Sequence, residues 1–331
     1  LLAAFRRMLR PLARIRDGLE QFAQGNRTVR LEPDTSDELS DIIRVFNKMA
    51  GEIDAKLYSL RKTSENYYRF VPQRAFGLLS QGDLGELALG SGVSGRFDVV
   101  CVSLALSAHL PQEDAEALTN RFFAILDKCC SESGAALLQD RINLRSYKLL
   151  CPEGTGAVDL ALAVLTQVDA VNAAVPMQAR LDPLLIVHRC EVRYCICGDA
   201  ERLVPTLLAE EIDWLTARQE AIRGLSSRLV VTAAAYAGIE ASRYFHRFIG
   251  TLNDSGTNAE VFGLYDFYGS GTSEEIRLIG EGLPTFDKAM ELYGARRWYD
   301  AKNLFALVLR ENPRDNVARY YVFSCEQKLP A

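Results

Sequence analysis

The stretch FDVVCVSLALSAHLP, residues 97–111, reads as a buried β-strand that runs out into a loop. Its Val, Leu and Cys side chains suit a pleated surface packed into a core. Asp98 stands at the entry, and the next carboxylate along the chain is Glu113. Everything between them is apolar, small or neutral. What such a strand carries at its far end decides whether the chain holds the acid groups of a metal-dependent enzyme.

Working outward, residues 64–280 alternate between strand-like and helix-like segments. Strand patterns cover 97–106, 136–151 with a polar turn inside, 183–197, 228–233, 244–252 and 259–267. Helix patterns cover 112–131, 156–174, 200–222 with a break at Pro205, and 233–242. The order predicts an α+β sandwich, an antiparallel-rich sheet with helices against one face. GSGVSG (Gly90, Gly92, Gly95) fits a dinucleotide fingerprint literally, but it precedes a strand instead of joining a strand to a helix. It is expected to be a flexible lead-in. YGSGTSEE, 268–275, is expected to be a linker.

With 331 residues the chain can bury a core in each of two or three units. A net charge of −5 argues against a nucleic-acid partner. The first 16 residues nonetheless hold five Arg and no acid, directly after an apolar opening. That is the pattern at the cytoplasmic end of a membrane helix, so the chain is expected to be membrane-tethered on the cytoplasmic side of the inner membrane. Of eight Cys, only Cys195 and Cys197 are close-paired, and the three His (His109, His188, His246) lie apart. No zinc spacing is present, and buried reduced thiols are expected.

Residues 1–62 carry apolar positions at spacings of three and four. The first set is Leu12, Ile15, Leu19 and Phe22; the second is Leu39, Ile42, Phe46, Met49, Ile53, Leu57 and Leu60. These are coiled-coil seams that two short helices cannot bury alone, so a dimer is implied. Between Met49 and Leu57 two successive spacings of four make a stutter. Pro11, the Gly-containing connector and DELSDIIRVFNKMAGEI (37–53), with Asp37-Glu38 opening the helix and Phe46-Asn47-x-Met49 closing it, resemble a HAMP domain. The resemblance implies a parallel dimeric four-helix bundle that relays motion from a membrane helix. At the other end Ala289, Leu292, Ala301, Phe305 and Pro313 resemble a tetratricopeptide repeat over 283–331. Such helices are expected to cap the preceding domain or to recruit a catalytic or regulatory protein partner.

ENYYRFVPQRAFGLL (65–79), the strand–helix order after it, His188-x-x-Glu191 and SRYFHRFIGTLNDSGTNAEVFGLYDF (242–267) are similar to bacterial class III adenylate and guanylate cyclases. The implied architecture is a ferredoxin-like cyclase sandwich over 97–268. A HAMP coiled coil and signalling helix (1–62) and a connecting segment (63–96) precede it. A linker (269–282) and the C-terminal helices follow it. That family builds its site across a homodimer interface, with two Asp holding two metal ions.

The resemblance assigns each role to a position in this chain. The first metal Asp falls on Ser103, and no register of VVCVSLALSAHLP contains an acid. The second falls on Arg145, a fixed cation. The base-selecting Lys falls on Arg141 and its partner on Leu207. The Asn and Arg that stabilise charge on the phosphoryl group fall on Trp214 and Arg218. Arg218 alone keeps the family residue, and the closing hairpin lacks its basic residue; Asp140 is a remaining carboxylate near the metal position. The expectation is a HAMP-coupled pseudo-cyclase that acts by dimerisation and partner regulation. No cofactor is expected, and Mg or Mn only if the chain is an active cyclase making cyclic nucleotide from ATP or GTP. A half-active heterodimer and a small-molecule receptor using the cleft are the further readings.

Overall fold

The structure is a computed structural model that describes residues 2–32, 38–70, 73–79, 88–107, 110–139, 145–152, 156–199, 202–252, 262–268 and 274–329. It forms two compact units, Leu1–Val71 and Pro72–Ala331.

In the first unit, helix α1 (Leu2–Ala23) and helix α2 (Glu38–Phe70) are joined by an extended connector. Ile15, Ile43, Phe46 and Ala50 are buried, and the Phe22 and Phe46 rings meet edge-on at 5.6 Å. Asn47 clasps the connector through both ends of its amide. Its Nδ2 donates to the Leu31 carbonyl at 2.7 Å, and its Oδ1 accepts from the Leu31 N–H at 3.0 Å. A Cβ on Gly18 would stand 2.7 Å from the Leu31 side chain, so glycine there admits the connector.

The expected seams are corrected in one respect. Leu12 and Leu19 are exposed, as are Ile42, Val45, Met49, Ile53, Leu57 and Leu60. The residues at 43, 46 and 50 face α1, so α2 carries two apolar stripes and only one is covered within the chain. Asp37 lies outside the described residues.

The second unit opens with the short helix α3 (Gln73–Gly77). It continues with β1 (Gly92–Ala105), α4 (Gln112–Ser133), β2 (Ala136–Gln139), β3 (Ser146–Pro152), α5 (Ala157–Asn172), β4 (Asp182–Gly198) and β5 (Leu203–Leu208). Then come α6 (Glu210–Ala217), α7 (Gln219–Gly224), β6 (Leu229–Thr232), α8 (Ala233–Tyr236), β7 (Phe245–Leu252) and β8 (Phe262–Tyr268). The chain ends in α9 (Glu274–Gly294), α10 (Trp298–Glu311) and α11 (Asn316–Lys328).

The strands make one eight-stranded sheet in the order β2-β3-β1-β4-β6-β8-β7, with β5 on the far end of β4. Only the β4–β6 pairing is parallel. The antiparallel-rich sheet expected from the sequence is present, but helices cover both faces. Val100, Val102 and Leu104 pack with α4 and α5, whereas Phe97, Val99 and Cys101 share a core with α6, α7 and the C-terminal helices. This is why β1 is apolar on consecutive residues: it is covered on both sides.

Three segments differ from the sequence reading. The span 200–222 is not one broken helix, because 203–208 pairs with β4, with Pro205 opposite Ile196. β5 is an edge strand, where proline leaves no ladder partner unsatisfied. GSGVSG is not a loose lead-in: Gly90 turns at φ +82° and Gly92 already belongs to β1. A Cβ on Gly92 would stand 2.5 Å from Cys195 Cβ, so the backbones approach there as only glycine allows. Finally, the segment read as a linker over 269–282 is helical from Glu274 onward.

The C-terminal helices stack in order and seal against β7. Ala289, Ala301 and Phe305 are fully buried, as their spacing implied. Arg247 on β7 donates to both oxygens of Asp315, at 2.6 and 2.8 Å. The Tyr321 hydroxyl donates to the Ile249 carbonyl.

Candidate functional site

The far end of β1 is where the sequence directs attention. Ser103 lies opposite Ser146 of β3 and Leu184 of β4, and its side chain is buried. Across the strand end lies Arg223, a residue the sequence reading missed. Its Nη2 donates to the Ser103 hydroxyl at 2.9 Å and to the Ser103 carbonyl at 3.0 Å. Its Nη1 donates to the Asp182 carbonyl and to Asp182 Oδ2, both at 3.3 Å. The α7 helix ends at Gly224, which brings a residue in its last turn against the sheet. Only tertiary structure puts residue 223 beside residue 103, so no local pattern could have found it.

Around this pair stand two further cations, Arg145 and Lys148, and the acids Asp182, Glu220 and Asp213. Arg145 is exposed at the start of β3, and its carbonyl accepts from the Leu104 N–H at 2.9 Å. Lys148 sits opposite Cys101, with its ammonium 3.7 Å from Asp213. Ser146 Oγ is buried without a hydrogen-bond partner. Asp140 and Arg141 lie outside the described residues. Burial pushes the Cys101 and Cys190 thiols up to about 12, so neither is a nucleophile near neutral pH.

The structure brings Trp214 and Arg218 together, but not as two groups on one continuous helix. Backbone angles of −108° and 9° at Arg218 end α6 and start α7. The Arg218 guanidinium lies 4.0 Å from the centre of the Trp214 ring and Nη1 reaches the Trp214 carbonyl at 3.4 Å. Arg218 is thus stacked on Trp214, the two residues that the resemblance assigned to the arginine and asparagine roles. Leu207, assigned to base selection, lies on edge strand β5 opposite Tyr194.

His188 is buried on β4, and Glu191 of the same motif is not its partner. Residues three apart on a strand face opposite sides, and Glu191 pairs with Arg96 at 3.4 Å. His188 Nε2 instead meets Glu211 Oε2 at 2.9 Å, and Nδ1 meets Thr232 Oγ1 at 2.8 Å. Glu211 and Thr232 are two further residues that the sequence reading left unassigned.

At the two positions that the cyclase resemblance assigns to metal carboxylates stand Ser103, a neutral hydroxyl accepting from a guanidinium, and Arg145, a cation; these two side chains do not fit a pair of divalent cations. Hard cations need carboxylate oxygens, and fixed positive charge repels them.

Comparison with known proteins agrees with this division. The HAMP domain family model matches residues 4–55. No curated protein matches the sequence. Two solved structures, each of a bacterial light-regulated adenylyl cyclase, are similar to the chain. One has a TM-score of 0.56 at 15% identity, covering 70% of this chain and 69% of that one. The other has a TM-score of 0.55 at 17% identity, covering 69% and 68%. At these identities the likeness is one of fold: a HAMP domain accompanies a mixed α/β unit with the fold of class III cyclases.

Proposed function

We propose that this chain is a membrane-linked signalling module whose cyclase-like unit has lost nucleotide cyclisation and acts by dimerising and regulating a partner. One observation carries the reading: Arg223 is bonded to Ser103 at the strand end where metal-binding carboxylates would stand. The transfer that a cyclase performs needs cations to activate the ribose hydroxyl and to neutralise the phosphates. A guanidinium can bind phosphate, but it cannot lower the pKa of a hydroxyl as a bound metal does.

The dimer rests on the uncovered stripe of α2, whose Ile42, Val45, Met49, Ile53, Leu57 and Leu60 are exposed among the described residues. A second copy in parallel would cover it. Among the described residues no helix is long and apolar enough to cross a membrane; the tether is proposed from the HAMP match and the arginine-rich start. The C-terminal tetratricopeptide-like helices, with Tyr299 and Phe323 exposed, are the proposed contact for a partner protein.

The test is incubation of the purified chain with ATP or GTP and Mn²⁺. The expected result is no cyclic nucleotide above the protein-free background. Accumulation well above that background, abolished by a deletion of 97–268, would establish the alternative, an active cyclase with a divergent site.

A further inference from the structure

The buried polar cluster beneath α6 has a composition that the lost cyclase chemistry does not use. His188 and Cys190 are two apart on β4, so their side chains project from the same face of the strand. Glu211 descends onto them from the first turn of α6. One ligand-capable atom from each, an imidazole nitrogen, the thiol sulfur and a carboxylate oxygen, lies within 4.8 Å of the other two. A nitrogen, a sulfur and an oxygen donor from two elements form three corners of a tetrahedron.

We propose that His188, Cys190 and Glu211 form a zinc(II) site, with the fourth position open to water. The donor set fits a borderline-soft ion, since zinc accepts imidazole, thiolate and carboxylate alike. Tetrahedral zinc holds its donors about 3.3–3.7 Å apart, so closure from the present spacing requires side-chain shifts on the order of 1 Å or less.

The surroundings supply what such a site needs. Thr232 Oγ1 lies 2.8 Å from His188 Nδ1. A proton on Nδ1 donated to that hydroxyl leaves Nε2 as the ligand, the usual orienting contact of a metal-bound histidine. Access comes through Glu211, whose side chain is 42% exposed and lines a surface groove with Val192, Leu208 and Ala209. Binding releases the thiol proton of Cys190 to solvent, shifts the imidazole proton from Nε2 to Nδ1, and replaces the histidine–glutamate hydrogen bond by two bonds to the metal. The consequence is mechanical. Glu211 begins the helix that carries Trp214, so an occupied site pins α6 to β4.

The experiment uses the full chain, freed of metal by chelator and titrated with Zn²⁺ and then with Co²⁺. One ion per chain is expected, and the cobalt form is expected to show thiolate-to-metal charge-transfer absorption in the near ultraviolet with the visible bands of a tetrahedral ion. Cys190→Ser keeps the volume and is expected to abolish the charge-transfer band. Thr232→Val is expected to weaken binding by about 10–100-fold. The double variant Cys195→Ala/Cys197→Ala, whose sulfurs lie 3.8 Å apart, is expected to leave the band intact. Circular dichroism establishes that each variant is folded. Substoichiometric binding to the parent chain, or a band that survives Cys190→Ser, overturns the site. A band that moves with Cys195 and Cys197 overturns it as well.

Discussion

Arg223 and Arg247 both hold a cation against the same sheet, and their settings differ in kind. Arg247 is 2% exposed and faces Asp315, 1% exposed, through two short parallel hydrogen bonds. Asp266 stands 3.7 Å away, and the Phe286 ring lies 4.3 Å from the guanidinium carbon. Although burial works against its charge, hydrogen bonding to Asp315 and the surrounding negative groups hold its pKa above the usual guanidinium range. Arg223 is 20% exposed, its carboxylate partners Asp182 and Glu220 are 65% and 89% exposed, and it also donates to the Asp182 carbonyl and to the Ser103 hydroxyl and carbonyl. A sealed charge must be paired, so it becomes part of the fold, and Arg247 is held by Asp315 even with its Nε left without a hydrogen bond. A charge at a half-open strand end can exchange those partners for water. The first arginine belongs to architecture, the second to the strand end on which the proposed loss of cyclase chemistry rests.

The sharpest way to break this comparison is to remove the partner of the sealed arginine. Asp315→Ala leaves Arg247 buried with the looser ion pair to Asp266 at 3.7 Å. It also removes the cap that accepts from the Ala318 N–H at 3.0 Å. A loss of about 3–5 kcal/mol is expected in denaturant unfolding. Replacing both charges, Arg247→Met with Asp315→Leu, is expected to recover part of it, leaving about 1 kcal/mol for the lost cap and the cost of a buried Asp266 without its cation. If the single variant costs no more than a surface pair does, the interface of β7 with the C-terminal helices is not sealed as described.

A smaller effect tests the same seam through the backbone. Gly250 has φ of +138°, and a Cβ there would stand 2.5 Å from the Tyr321 hydroxyl. Gly250→Ala is therefore strained by conformation and by contact at once, and about 1–3 kcal/mol of destabilisation is expected. Adding Tyr321→Phe relieves the contact but not the dihedral. Partial recovery in the thermal midpoint is the result to look for, and full recovery would show that the contact alone carried the cost.

The two arginines were also unequally legible in the sequence. Most strands and the long helices followed from apolar periodicity, because β1 and β4 present uninterrupted core residues. The HAMP segment followed from residues such as Asn47, whose partner Leu31 is nearby in the chain. The β5 strand was hidden because Pro205 reads as a helix break, whereas its edge position tolerates it. The absence of an acid near Ser103 was visible in any register. What had taken the acid's place was not, since Arg223 meets Ser103 across 120 residues. Glu211 was likewise invisible as the partner of His188, because Glu191 offered a nearer carboxylate whose strand parity sends it to the wrong face.

The smallest stability effect carries the most about function. Arg223→Ala is expected to cost about 1 kcal/mol, because water can reach the Ser103 carbonyl once the guanidinium is gone. What it changes is electrostatic. Ser103→Asp alone does not rebuild a cation site, since the new carboxylate would lie beside Arg223 and pair with it. Ser103→Asp with Arg145→Asp leaves that same cation in the way, and weak or no Mn²⁺ binding is expected. Adding Arg223→Ala to those two substitutions removes the competing charge, and calorimetry is expected to show Mn²⁺ binding that both simpler variants lack. Equal Mn²⁺ affinity with and without Arg223 would mean that the guanidinium is a bystander at the strand end. The difference between the two arginines would then be one of burial alone, with no consequence for the chemistry of the site.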